Sequence, residues 1–101
     1  MLAEVSIFPV GEGVSLSKWV ARCLEIIDES GLEYQLNSMG TVIEGEYDEV
    51  MEVIRKCHMA VLRDTERVST HIKIDDRKGV KGGISGKVKS VENTLGKPLR
   101  K

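Results

Sequence analysis

Asn37-Ser38-Met39-Gly40-Thr41-Val42-Ile43-Glu44-Gly45-Glu46 is the stretch that decides how this chain folds. Ahead of it, Glu33 to Ser38 alternates, with Tyr34 and Leu36 on one face, which predicts a strand. Thr41 to Glu44 predicts a second strand. The junction Ser38-Met39-Gly40 suits a tight hairpin connection, with Gly40 free to take a positive φ. From Asp48 the spacing becomes helical. Val50, Val53, Ile54, Cys57 and Val61 form a buried stripe, with Met51 and Leu62 at its edges. Glu46, Asp48 and Glu49 sit at the start of this helix, where its dipole favours negative charge.

Working outward to the N-terminus, Leu2 to Val10 alternates as well. Ala3, Val5 and Ile7 point one way, and Glu4, Ser6 and Phe8 the other. Pro9 ends this strand because it cannot donate to a ladder, and Gly11 and Gly13 make a loop. Ser15 reads as an N-cap. Leu16, Trp19, Val20, Cys23, Leu24 and Ile27 follow at helical spacing, and Gly31 stops the helix. Toward the C-terminus, Arg67 to Asp76 is a fourth strand. Val68, Thr70, Ile72 and Ile74 are expected to face the core, and Ser69, His71, Lys73 and Asp75 to face away. Arg77 to Gly83 is a basic, glycine-rich loop, and Ile84, Val88, Val91 and Leu95 mark a third helix. The order β-α-β-β-α-β-α predicts an α+β fold: a ferredoxin-like βαββαβ sandwich with an additional C-terminal helix.

The 101 residues suit one domain spanning 1–101, with a modest core that oligomerisation would help. A hydrophobic fraction of 41% and a charged fraction of 31% describe a globular chain. A net charge of -1 argues against nucleic acid as the main partner. No apolar run approaches a membrane span, and no signal peptide is evident. Cys23 and Cys57 fall on apolar helix positions and read as buried thiols, which fits a reducing cytoplasm.

Several chemistries are missing. There is no CxxC, no HExxH and no pair of histidines at ligand spacing, so His58 reads as structural. Ser6 or Ser69 with His71 and Asp75 would lie on open strands without an evident oxyanion hole. The run Gly79 to Lys87 fails as a phosphate loop: Lys81 stands five residues before Gly86, and Val88 follows Lys87. It reads as a connector, with an anion on the free amides of the third helix as the lesser alternative. An RNA-recognition sheet needs exposed aromatics on its strands, and only Phe8 is so placed.

What remains is the sheet face opposite the helices. It carries Glu4, Ser6, Phe8, Gln35, Asn37, Ser69, His71, Lys73 and Asp75, joined by Thr41 or Ile43 according to the register of the third strand. Such a face reads equally as a solvated or assembly surface and as a polar pocket for a small molecule closed by another subunit.

Met39-Gly40-Thr41-Val42-Ile43-Glu44-Gly45-Glu46, followed by Asp48-Glu49-Val50-Met51, resembles the small thiamine-binding protein family, related to the YkoF-like proteins. The strand Ala3 to Gly11, the Ser15-Leu16-Ser17 cap region and Arg67 to Arg77 agree with it, so the resemblance covers nearly the whole chain. Asn37-Ser38 departs from the small residues or proline that relatives often carry there. The resemblance implies a homo-oligomer, dimer or tetramer. It also implies binding of thiamine or its hydroxymethylpyrimidine part without catalysis and without a cofactor. The chemistry of the exposed face is compatible. Ser6, Asn37 and Thr41 could pair the pyrimidine edge, Phe8 could cover a ring, Glu44 or Glu4 could offset the thiazolium charge, and His71 could bond ligand or strand. Two rivals stand beside this carrier, buffer or sensor: a regulatory interaction module using the polar face for assembly, and an enzyme on phosphorylated small molecules using Arg77 and Lys81.

Overall fold

A computed structural model describes residues 1–13, 16–79 and 83–100. In chain order the elements are β1 (Leu2–Pro9), α1 (Ser17–Glu29), β2 (Glu33–Asn37), β3 (Gly40–Glu44), α2 (Tyr47–Arg63), β4 (Val68–Asp75) and α3 (Gly83–Leu95). The four strands form one antiparallel sheet in the order β2-β3-β1-β4. This is the split βαβ arrangement expected of a ferredoxin-like fold: β3 runs between β1 and β2, and α1 makes the crossover.

Pleating sorts the residues into two faces, because residues directly opposite one another across a ladder share a face. Ala3 pairs with Ile43 and Ile74, and Val5 with Thr41 and Ile72. These point toward α1 and α2. The core there joins Ala3, Val5, Ile7 and Ile43 of the sheet to Trp19, Cys23 and Ile27 of α1 and to the α2 stripe Val50, Val53, Ile54, Cys57 and Val61. Leu16, Val20 and Leu24 of the α1 stripe remain half-buried.

Four sequence expectations change. Thr41 and Ile43 both face the helices, so neither joins the open face; Val42, opposite Glu4, takes that place. Gly40 does not have a positive φ. Its requirement is close approach, since a Cβ there would lie 3.1 Å from the Val5 carbonyl oxygen. Ile72 and Ile74 are on the helix side but stay 40% and 42% exposed. The reason is the path of α2. It meets β4 at the strand's other end, where His58 Nδ1 and Thr70 Oγ1 lie 2.7 Å apart. Finally, the α1 cap position holds Leu16 and makes no side-chain cap bond; Ser15 lies outside the described residues.

Helix α3 begins against the open face. Leu2 packs so closely on Gly83 that a Cβ at 83 would meet its Cδ1 at 2.7 Å. Further along the helix, Val91 and Leu95 are about half exposed.

Candidate functional site

Strand β1 is paired with β4 along its whole length, from Leu2↔Asp75 to Pro9↔Val68. On its other side the ladder with β3 runs only from Leu2↔Glu44 to Val5↔Thr41. Beyond Val5 the hairpin has already turned at Ser38-Met39, between the paired Asn37 and Gly40. On that side Ser6 to Pro9 therefore has no strand beside it, and α1 passes over the gap.

The gap is a groove of about 950 Å³. Its apolar wall comes from Leu16 at the cap of α1, Val20 and Leu24 of α1 and Leu36 of the hairpin, and its floor is β1 from Val5 to Phe8. Ser6, Ser17, Asn37, Ser38 and Thr41 add polar atoms. A concave, largely apolar cleft with a few polar groups is the usual form of a small-molecule site.

Four of the six candidate residues, Ser6, Phe8, Asn37 and Thr41, line this groove. Thr41 is only 4% exposed, held between strands with its face toward the helices. Asn37 ends β2, and its Oδ1 accepts a long bond from Gln35 Nε2 at 3.4 Å. His71 is opposite Ser6 on β4 and stacks on Phe8, with centroids 5.7 Å apart and planes 13° from parallel. Its Nε2 lies 3.0 Å from Ser69 Oγ. Phe8 and His71 thus brace one another on the open side of the sheet. A shallower hollow of about 290 Å³ lies there, lined by Glu4, Ser6, Met39, His71, Ile72 and Lys73.

Glu44 is at the far end of β3. Its carboxylate accepts the N–H groups of Gly83 and Ile84 at 3.0 and 3.3 Å. It caps α3, so those two amides are already occupied by a carboxylate instead of an external anion; residues 80–82 of that loop lie outside the described residues. Asp75, the last residue of β4, forms an ion pair with Lys87 of α3. Among the described residues no cluster of three or more His, Cys, Asp or Glu side chains is placed to hold a metal, and no helix is long and apolar enough to cross a membrane.

The groove itself is the feature that sequence reasoning missed. Val20 and Leu24 share the helical stripe of the buried Trp19 and Cys23, yet they stay half-buried and form its wall. The available signal was the length mismatch: an alternating run of nine residues at Leu2 to Val10 against four at Thr41 to Glu44.

The sequence profile described as thiamine-binding protein matches residues 3–92. A UPF0045 protein of Methanocaldococcus jannaschii is 41% identical over 91 residues, covering 90% of this chain and 91% of that one. The UPF0045 protein YqgV of Bacillus subtilis is 38% identical over 100 residues, covering 93% and 96%. The crystal structure of the M. jannaschii protein superimposes with a TM-score of 0.83 over 89% of this chain and 93% of that one. A Thermotoga maritima protein, described as a candidate for thiamine biosynthesis or salvage, has a TM-score of 0.78 at 23% identity, covering 89% and 96%; it shares the fold. With its profile match spanning nearly the whole length, the chain belongs to the thiamine-binding protein family.

Proposed function

We propose that the chain binds thiamine or its hydroxymethylpyrimidine part, without transforming it, in the groove between α1 and the β2–β3 hairpin. The observation that carries this reading is the early end of the β1–β3 ladder at Val5↔Thr41, which opens a cleft of ligand size lined by Ser6, Phe8, Asn37 and Thr41. Family membership supports the ligand class. In this reading Val20, Leu24 and Leu36 enclose the pyrimidine ring, and Asn37 and Thr41 offer polar partners within the apolar wall. Phe8, steadied by His71, covers the mouth. Glu44 takes no part, because α3 holds its carboxylate.

The reading includes a homo-oligomer, dimer or tetramer, acting as carrier, buffer or sensor in the cytoplasm. Exposed Ile72, Ile74, Val91 and Leu95 support self-association, since apolar surface of this kind gains by burial. Calorimetric titration with thiamine, hydroxymethylpyrimidine and the thiamine phosphates tests it. Saturable binding that weakens in the Asn37→Ala, Thr41→Val double variant is the expected result. No heat and no thermal shift with any of them would reject the ligand class and leave an assembly module.

A further inference from the structure

The floor of the groove includes backbone as well as side chains. In an antiparallel strand, successive residues turn their N–H and C=O alternately to one neighbour and the other. Two bonds fix the alternation of β1. The Met1 carbonyl accepts the Gly45 N–H at 3.1 Å, on the β3 side, and the Val10 N–H donates to the Arg67 carbonyl at 2.8 Å, on the β4 side. Odd-numbered residues of β1 therefore face β3. Ala3 and Val5 are met there by Ile43 and Thr41. Ile7 is the next odd residue, and the ladder has ended before it. Its N–H and C=O are turned into the groove, which Ile7 lines. Pro9, the residue after that in phase, has no N–H to offer.

One strand residue with both groups free presents a donor and an acceptor side by side. An aminopyrimidine presents the complement: a ring nitrogen that accepts, next to an exocyclic amine that donates. We infer that the Ile7 main chain is the specificity element of the groove, its N–H donating to the ring nitrogen and its C=O accepting from the exocyclic amine. This rests on the binding reading above and narrows it to the ring edge recognised. The ligand then continues the ladder that β3 abandons, taking the place of a missing strand residue opposite Ile7. Thr41 and Asn37 are left for the second ring nitrogen. A site that uses both groups of one peptide rejects a ring in which the amine is replaced by an oxo group. That exchange puts N–H against N–H and C=O against C=O, and mismatched buried polar groups discriminate strongly.

Two measurements on the full chain test this. The first is titration with thiamine and with its oxo analogue, in which the exocyclic amine is a carbonyl. The analogue should bind about tenfold more weakly or worse. The second is residue-resolved amide exchange. Without ligand the Ile7 amide should exchange faster than that of Val5, which is tied into the ladder; thiamine should slow Ile7 selectively. Thiamine binding with an unchanged Ile7 amide, or with an equally tight oxo analogue, overturns the Ile7 assignment and leaves thiamine binding standing. Absence of binding by thiamine and hydroxymethylpyrimidine overturns both.

Discussion

The carboxylate of Glu44, at the end of β3, accepts the backbone N–H of Gly83 at 3.0 Å and so ties the start of α3 to the sheet. The first N–H groups of a helix have no partner within it, and a carboxylate both satisfies them and complements the dipole. Replacing Glu44 by Ala should loosen α3 by about 0.5–2 kcal/mol, the range for a lost cap. Faster amide exchange along α3 and a small loss of helical circular dichroism would report it. Thiamine affinity should not change, and a marked fall would put Glu44 back in the site.

A second tie between sheet and α3 depends on pH. The hydrogen bond and charge of Lys87 hold the Asp75 carboxyl below its usual 3.8, with Arg77 and Lys73 adding to the effect. A carboxylate with a lowered pKa in the folded state stabilises that state above the usual value, and the effect is lost as pH falls through the lowered one. Opening of α3, read from amide exchange corrected for its intrinsic pH dependence, should therefore be steady down to about pH 5 and rise below about pH 4. In Asp75→Asn the part of that rise due to the Lys87 pair should be absent, leaving the part contributed by other carboxylates. An identical acid profile in wild type and variant would show that the pair does nothing for α3.

The two cysteines should be inert in the native protein. Cys57 is fully buried and donates to the Cys23 carbonyl with Sγ 3.6 Å away. Its contact with Cys23, and then burial, push its thiol far above the ordinary range. The same contact lowers the Cys23 thiol, so Cys23 is protected by burial, at 6% exposure, and not by its ionisation. A thiol reagent at neutral pH should label neither residue until the chain is unfolded, when both should react. Rapid labelling of the native protein would contradict the packing of α1 on α2.

How much of this was legible in the sequence depends on the range of the interaction involved. Alternation at Leu2 to Val10 and at Arg67 to Asp76, and the α2 stripe from Val50 to Val61, are local patterns, and each placed its element within a residue or two. The face taken by Thr41 is not local. It depends on register, and one residue of slip would exchange it with Val42. The exposure of Ile72 and Ile74 depends on where α2 crosses the sheet, which period-two spacing does not encode. The groove is the least local feature, because it arises from the stagger of β3 against β1. The candidate residues Ser6, Phe8, Asn37 and Thr41 were nevertheless gathered by the reading, because the hairpin tip and the second half of β1 lie side by side.

Two glycines should respond to alanine with opposite signs. At Gly40 the added Cβ would stand 3.1 Å from the Val5 carbonyl oxygen, a backbone atom fixed in the last paired position before the groove. Relief requires the two strands to part, so Gly40→Ala should cost about 1–3 kcal/mol and weaken thiamine binding with it. At Gly86, inside α3, nothing lies within 4 Å of the new Cβ and φ is not positive. Gly86→Ala should stabilise the helix by up to about 1 kcal/mol, through helix propensity and a less flexible unfolded chain. Urea denaturation followed by circular dichroism measures both, provided α3 unfolds together with the sheet. A neutral Gly40→Ala would mean that the β1–β3 ladder is loose at Val5, and a groove founded on its abrupt end would lose its basis.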